Sequence, residues 1–174
     1  MIADGDRIAV GISGGKDSLT LLYALSGLRR FYPKKFELAA LTVDLGFDHY
    51  DLSEIRQLCK TLDVEYHVIK TKIGEIVFEE RKESSPCALC AKMRKGALND
   101  YARQIGCNKV AYAHHMDDII ETMFLSMFYE GQFYSFAPVT HLDRSGIPVI
   151  RPLMYVPEAN VIGFLHKYHL PLVK

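Results

Sequence analysis

The chain has 174 residues with 21 basic and 21 acidic side chains, so its net charge is zero and bulk charge indicates no nucleic-acid partner. Apolar residues make up 49% of the sequence, as in ordinary globular proteins. The sequence contains no run of about 18 apolar residues and opens on no signal segment, which argues against a membrane location. We therefore expect a cytoplasmic protein whose four cysteines are thiols or metal ligands rather than disulfides.

Strand and helix patterns alternate along the chain. Short apolar runs predict strands, and longer runs with apolar residues at helical spacing predict helices. The predicted strands cover residues 8–12, 36–43, 65–69, 109–113 and 148–151. The predicted helices cover residues 17–30, 51–62, 88–105, 117–129 and 157–168. The fourth of these helices is expected to turn its apolar side to the core, with Ile120, Met123, Phe124, Met127 and Phe128.

This alternation predicts an α/β fold, a Rossmann-like parallel sheet of about five strands with helices on both faces. We expect one domain over residues 1–174, with a less regular, cysteine-bearing segment at 71–95. Ligands of such sheets bind outside the carboxyl ends of the strands. By this rule, the expected ligand-binding positions are the loops at 13–18 and 113–118 and the strand-end residues Asp44 and Arg151.

The string Ser-Gly-Gly-Lys-Asp-Ser at residues 13–18 lies between the first strand and the first helix. A turn of this kind binds anions, because free N–H groups and the positive helix end point at the ligand. Gly14 and Gly15 allow close approach to phosphates, and Lys16 adds a positive charge. Asp17 can hold Mg²⁺ that is shared with the phosphates.

The loop is not a Walker A loop, which has four residues between its glycines and then Gly-Lys-Ser/Thr. Here three residues separate Gly11 from Gly15, and Asp17 follows Lys16. The string resembles the pyrophosphate loop of the N-type ATP pyrophosphatases, which implies ATP cleavage between the α- and β-phosphates. The loop residues expected to bind ATP are Ser13, Gly14, Gly15, Lys16, Asp17 and Ser18.

A second polar cluster, Ala-His-His-Met-Asp-Asp at residues 113–118, lies where the fourth strand meets the fourth helix. In one interpretation Asp117 or Asp118 caps the helix, and in the other Asp117 is a catalytic ligand of phosphate and Mg²⁺; both stay open. Ala113, His114 and the neighbouring His115 are expected to shape the nucleotide pocket rather than to hold a permanent metal.

Two further residues end predicted strands at the same edge of the sheet. Asp44 either accepts a hydrogen bond from the ribose of ATP or is a simple turn aspartate. Arg151 either neutralises charge that develops on the phosphates of ATP or forms a surface salt bridge. The sequence does not decide between these alternatives.

The string Pro-Cys-Ala-Leu-Cys at residues 86–90 opens the third predicted helix. Cysteines three apart at a helix start share a face, and the positive helix end lowers the pKa of their thiols. The pair could belong to a zinc site, an iron–sulfur site or a redox dithiol, or could arise by chance. Cys59 and Cys107 are expected in the core. The basic residues that follow the pair, and that we expect to contact an anionic substrate, are Lys92, Arg94 and Lys95.

Together, the loop at 13–18, the cysteine pair with its basic helix, His-His-Met-Asp-Asp and Ile-Arg-Pro-Leu resemble the tRNA 2-thiocytidine synthetase family over essentially the whole chain. The resemblance implies adenylation of the C2 oxygen of a tRNA pyrimidine, foremost cytidine, by ATP. In the reaction that the resemblance implies, sulfur then replaces the activated oxygen and AMP is released. It also implies Cys87 and Cys90 as ligands of an iron–sulfur cluster, and the adenylation residues Asp17, Asp117 and Arg94.

The cofactors implied by the resemblance are ATP, Mg²⁺ and a [4Fe–4S] cluster. The expected partners are tRNA, with contacts from Lys92, Arg94 and Lys95, and a sulfur donor. That donor is either sulfide or a persulfide made by a cysteine desulfurase, and a homodimer is possible. The family carries an N-terminal extension and a third cluster cysteine downstream of the last helix, so we expect a longer protein.

Two alternative functions stay open. An amide-forming or lysidine-type ligase would use the same loop without needing Cys87 and Cys90. A non-catalytic ATP- or metal-sensing module would use the cysteines to hold zinc, without iron or sulfide.

Overall fold

The computed structural model describes residues 1–46, 51–77, 86–141 and 146–173. In the first half of the chain the elements are β1 Asp6–Gly11, α1 Lys16–Leu28, β2 Phe36–Asp44, α2 Ser53–Thr61, β3 Glu65–Lys70 and α3 Ile73–Glu75. In the second half they are α4 Pro86–Gln104, β4 Lys109–Ala111, α5 Met116–Leu125, β5 Val139–His141, β6 Pro148–Ile150 and α6 Glu158–Tyr168. A π-helical turn, Ser126–Glu130, extends α5.

The strands form a six-stranded sheet in the order β3-β2-β1-β4-β6-β5. All neighbours pair in parallel except β5, which pairs antiparallel with β6. The predicted Rossmann-like sheet is confirmed. It contains one strand, β5, that was not predicted from the sequence. Strand order reverses between β1 and β4, so their carboxyl ends border the crevice where such sheets bind ligands.

Apolar side chains cover both faces of the sheet. Ile8 and Val10 of β1 join one buried cluster with residues of α1, α2 and α6. Ala9, between them, joins the opposite cluster with residues of α3 and α4. Because both faces of the sheet are covered, the strand sequences are continuous apolar runs rather than alternating apolar and polar residues.

The apolar side of α5 departs from the prediction. No residue of α5 is buried. Ile120, Phe124, Met127 and Phe128 are 41%, 46%, 41% and 77% exposed, and Met123 is partly exposed. The predicted burial of these five side chains is therefore wrong. Helical periodicity identifies an apolar face but does not reveal whether another element covers it.

The segment at 71–95 contains more regular structure than expected. Ile73–Glu75 forms a single helical turn, and residues 86–95 already belong to α4. Residues 78–85 lie outside the described ranges. Within those ranges, no helix is long and apolar enough to cross a membrane.

A buried carboxylate ties the start of the chain to β4. Asp6 accepts hydrogen bonds from Lys109 Nζ at 2.6 Å, Asn108 Nδ2 at 3.0 Å and the N–H of Ala3 at 2.6 Å. Burial alone would raise the pKa of Asp6, but these hydrogen bonds outweigh burial and lower it below its ordinary value.

We expect Asp6→Asn to lower the free energy of unfolding by about 3 kcal/mol at pH 7, because it leaves Lys109 without its buried partner. The pKa of Asp6 is lowered in the fold, so its stabilising effect is fully present above about pH 4 and is lost as the pH falls through the folded-state pKa. Urea unfolding of both proteins between pH 3 and pH 7 measures this difference. The exposed Asp100→Asn serves as control, and an equal loss there would contradict the assignment.

Candidate functional site

A cavity of about 330 Å³ opens at the carboxyl ends of β1 and β4. Its walls come from the loop after β1, from α4 and from the segment that joins β4 to α5. Of the residues predicted as functional, the cavity is lined by Ser13, Asp17, Ser18, Arg94, Lys95, Ala113 and His114. Its volume falls in the range of small-molecule sites, which starts at about 300 Å³.

The loop after β1 leaves the start of α1 open to an anion. Gly14 has a φ of +81°, in the left-handed region that favours glycine. Gly15 is the N-cap of α1, so the N-cap position supplies no side-chain hydrogen bond to the helix. The Ser18 hydroxyl donates to the Gly15 carbonyl at 3.0 Å and accepts from the N–H of Ser13 at 3.2 Å. The first N–H groups of α1 therefore receive no hydrogen bond from the N-cap residue, which leaves them suited to a phosphate.

Two carboxylates hold the loop lysine. Lys16 Nζ lies 3.0 Å from Asp17 Oδ1 and 2.9 Å from Glu158 Oε1. Burial alone would lower the pKa of Lys16, but the hydrogen bonds to Glu158 and Asp17 raise it above its ordinary value. Glu158 was not identified from the sequence. The only sequence feature that marks Glu158 is its position in the first turn of α6, after Pro157. Acidic residues are common at that position because they stabilise the helix, so this feature does not indicate a functional role.

His115 links the loop to α5 and α6. It is 5% exposed and caps α5: its N–H donates to Asp118 Oδ2 at 2.7 Å, and its Nδ1 accepts from the N–H of Asp118 at 3.4 Å. Its Nε2 lies 3.7 Å from Asp17 Oδ1 and 3.9 Å from Glu158 Oε1. The N-cap of α5 is thus His115, not either aspartate, and His114 is the histidine that lines the cavity.

Asp117 and Asp44 accept hydrogen bonds from backbone N–H groups and are not among the residues that line the cavity. Asp117 Oδ2 accepts from the N–H of Glu158 at 2.7 Å, which covers the start of α6. Asp44 Oδ1 accepts from the N–H of Gly46 at 2.9 Å, as a turn aspartate does. The neighbours Asp118 and Val43 line the cavity in their place. The predicted roles of Asp44 in ATP binding and of Asp117 in catalysis stay predictions.

Arg151 and His114 both pack against the ring of Phe136. The Arg151 guanidinium lies 4.9 Å from the Phe136 ring centroid, and its Nη1 donates to the Ala137 carbonyl at 2.7 Å and to Thr140 Oγ1 at 2.9 Å. The rings of His114 and Phe136 are 4.8 Å apart. Burial, and then the nearby Arg151 charge, lower the pKa of His114, so its ring is neutral at pH 7.

Two nitrogens at this edge of the cavity are buried without a hydrogen-bond partner among the described residues. They are His114 Nδ1 and Arg151 Nε. Buried polar groups in folded proteins normally have partners, so a polar ligand suits this edge.

The four cysteines divide into two kinds. Cys87 is exposed and Cys90 is half-buried, and both lie in the first turns of α4. Cys59 and Cys107 are 1% and 5% exposed within the apolar clusters. Burial raises the pKa of the Cys59 thiol to about 11 and also raises that of Cys107. The accessible pair fits part of a cluster ligand set, whereas no three His, Cys, Asp or Glu residues in the described ranges form a metal-binding group.

The basic residues of α4 differ in position. Arg94 is half-buried and Lys95 is exposed, and both line the cavity. Lys92 is exposed and is not among the lining residues. One helix therefore carries the accessible thiols and, one turn further on, two cations at the cavity wall.

The fold and the phosphate-type loop define the class of the protein, an α/β nucleotide-binding domain. The PP-loop domain family matches residues 3–174. The same fold occurs in the U34-tRNA thiolase NcsA from Methanococcus maripaludis, solved with its [4Fe-4S] cluster, at a TM-score of 0.78 and 22% identity. That match covers 99% of this chain and 59% of the thiolase chain. Phosphoadenylyl-sulfate reductase from Candida auris, in a phosphate complex, matches at a TM-score of 0.62 and 14% identity, covering 95% and 74% of the two chains.

Sequence comparison narrows the class. The tRNA-cytidine(32) 2-sulfurtransferases of Citrifermentans bemidjiense and Geobacter sulfurreducens are each 42% identical over 174 residues. Each match covers 99% of this chain and 68% of the relative. The chain belongs to the tRNA-cytidine(32) 2-sulfurtransferase family of PP-loop proteins, and the resemblance drawn from its motifs is confirmed.

Proposed function

We propose that this chain is an ATP-dependent tRNA sulfurtransferase that replaces the C2 oxygen of a cytidine, at position 32 as in its relatives, with sulfur. One observation carries the proposal. A single cavity is lined by an uncapped phosphate-type loop and by the helix α4, which also bears an accessible cysteine pair. Nucleotide activation and sulfur chemistry can therefore take place at one site.

In the first step the C2 oxygen of the cytidine attacks the α-phosphorus of ATP. The bond to the bridging oxygen breaks and pyrophosphate leaves. The loop at 13–15 and the start of α1 hold the β- and γ-phosphates, and Asp17 supplies an oxygen ligand for Mg²⁺. Arg94, which lines the same cavity, stabilises charge on the α-phosphate.

In the second step sulfur attacks C2 of the activated base. The C2–O bond breaks, and AMP leaves with the former carbonyl oxygen. Cys87 and Cys90 supply two thiolates for a [4Fe–4S] cluster, which when bound would offer an iron that carries the incoming sulfur. The sulfur comes from sulfide, which is already at the oxidation level of the thiocarbonyl product, or from a persulfide of a cysteine desulfurase together with an external thiol that reduces the S–S bond and releases the desulfurase cysteine.

Three further assignments belong to the proposal: a cellular location, an oligomeric state and a domain range. A cytoplasmic location suits the four free thiols, since disulfides are rare in that compartment. A homodimer is compatible with the exposed apolar side of α5. The domain proposed here comprises residues 1–174.

Mass spectrometry of tRNA nucleosides tests the function. Cells that lack the gene should lose 2-thiocytidine, and expression of the wild-type protein should restore it. An unchanged 2-thiocytidine level, or loss of lysidine instead, would contradict the proposal and support the ligase alternative.

The basic side chains of α4 give a further expectation. Replacing Lys92, Arg94 and Lys95 with glutamine should weaken tRNA binding, and the log–log dependence of affinity on salt should become shallower by roughly 2 to 3, at 0.7 to 0.9 per lost phosphate contact. Filter binding from 50 to 300 mM salt measures both quantities. A control variant replaces Arg30, Lys35 and Lys60, exposed residues at the opposite, amino edge of the sheet. If both triple variants show the wild-type slope, the α4 residues make no phosphate contacts.

A further inference from the structure

The proposed chemistry leaves unused the segment 128–136, Phe-Tyr-Glu-Gly-Gln-Phe-Tyr-Ser-Phe, hereafter the aromatic segment. Phe128 and Tyr129 are 77% and 83% exposed, and Phe133 and Tyr134 are 80% and 57% exposed. Aromatic side chains carry large apolar surfaces that proteins normally bury. A contiguous group of exposed rings therefore indicates a binding surface.

The aromatic segment leads directly to the cavity. Its last ring, Phe136, lies 4.8 Å from the ring of His114, a residue of the cavity wall. The Arg151 guanidinium covers Phe136 at 4.9 Å. Tyr134 lies close enough to Arg151 to influence its pKa, although burial is the larger effect and lowers that pKa. The aromatic segment thus reaches the cavity wall through the contact of Phe136 with His114.

The backbone of the aromatic segment is fixed although its rings are exposed. The Ser126 hydroxyl donates to the Gln132 carbonyl at 2.9 Å, and the Ser135 hydroxyl donates to the Ile119 carbonyl at 3.0 Å. The N–H of Arg151 donates to the Pro138 carbonyl at 2.9 Å. These bonds hold the chain at Gln132, at Ser135 and just beyond the segment at Pro138, so the rings between them need little further ordering before they bind a partner.

The wall of the cavity that α4 forms carries two cations. Arg94 and Lys95 of α4 line it, and the charge of Lys95, like that of Arg151, helps to lower the pKa of His114 after the larger effect of burial. His114 therefore lies between a basic wall and an aromatic one. Proteins that bind single-stranded nucleic acid combine these two surfaces, since cations follow the backbone and rings stack on bases.

We propose that Phe133 and Tyr134 form a stacking platform for unpaired tRNA bases next to the reacting cytidine. The inference rests on the proposed function, because that function brings an RNA loop to this cavity. Stacking on aromatic rings is how proteins hold splayed, single-stranded RNA bases. A second copy of the chain fits this surface less well, because the cationic wall beside the rings would face its counterpart rather than a phosphate backbone.

A single tryptophan tests the contact directly. The chain contains no tryptophan, so Phe133→Trp creates one fluorescent reporter on the platform. Unmodified substrate tRNA should quench its emission in the absence of ATP. Phe31→Trp is the matched control, because Phe31 is 77% exposed and follows α1 at the amino edge of the sheet. Equal quenching at both positions, or none at position 133, would overturn the platform.

Affinity measurements supply the second test. The double variant F133A/Y134A should bind tRNA about tenfold or more weakly, the loss expected for one or more stacked bases. Its salt slope should stay at the wild-type value, since stacking releases no counterions. ATP binding should also stay unchanged, and F133Y/Y134F should retain wild-type tRNA affinity because both rings remain.

The outcomes separate the two proposals. If wild-type protein shows no salt-dependent tRNA binding, the proposed function fails. If the wild type binds tRNA and F133A/Y134A binds equally well, only the platform fails. A change from dimer to monomer in F133A/Y134A with tRNA affinity intact, measured by sedimentation, assigns the rings to a second copy and also overturns the platform.

Discussion

Replacing Asp17 with asparagine should lower the tRNA-dependent conversion of ATP to AMP and pyrophosphate at least about 100-fold, the scale of losing one electrostatic contact to a transition state. Asparagine keeps the size of the side chain but removes the charge that would bind Mg²⁺. Asp17 lines the cavity and contacts Lys16 at 3.0 Å, so the substitution also alters the charge balance of the loop. Chromatography of labelled ATP products measures the effect.

Two controls separate this role from a general loss of charge. Asp100→Asn, on the exposed side of α4, should keep wild-type turnover. Glu158→Gln removes one partner of Lys16 and leaves the other, so its effect should be smaller than that of Asp17→Asn. ADP as the product in the wild-type reaction would contradict the pyrophosphatase chemistry itself.

The loop at 13–18 and the cysteine pair could be found in the sequence because their chemistry is local. A strand, two glycines and a helix start are contiguous in the chain, and they are sufficient to form an anion site. Likewise, the helical spacing of Cys87 and Cys90 already places them on one face. Each strand and helix likewise shows its apolar pattern within one contiguous stretch of sequence, so the order of the elements could be predicted, and that order indicated a parallel sheet.

Contacts made between distant segments could not be found in this way. Glu158 approaches Lys16 only because α6 packs beside α1, and no pattern around either residue indicates that contact. His115 rather than an aspartate caps α5, since an imidazole nitrogen can accept the same N–H. The strand β5, Val-Thr-His, has one apolar residue and no buried position, so it lacks the apolar run that marked the other strands. The apolar side of α5 satisfied the helical pattern although no element of the described chain buries it.

Replacing both Cys87 and Cys90 with serine should remove iron from anaerobically reconstituted protein and reduce tRNA thiolation to background. Both side chains are accessible at the start of α4, and serine oxygens are much poorer ligands than thiolates for such clusters. ATP binding should stay within about twofold of the wild type, a free-energy change below about 0.5 kcal/mol, because neither residue is among those that line the cavity. Iron and sulfide content, ATP titration and nucleoside analysis of the same preparations provide the three measurements.

The buried cysteines are the matched controls for this double variant. Cys59→Ala and Cys107→Ala remove thiols whose pKa is raised by burial, so both variants should keep their iron while losing about 1 kcal/mol of stability. Loss of iron from either would show that a buried thiol completes the ligand set. Full activity of the double serine variant would instead favour a ligase that needs no thiols. Zinc in place of iron and sulfide in the wild-type protein would favour a sensing module, because the proposed sulfurtransferase needs an iron–sulfur cluster on the cysteine pair and a zinc-holding module does not.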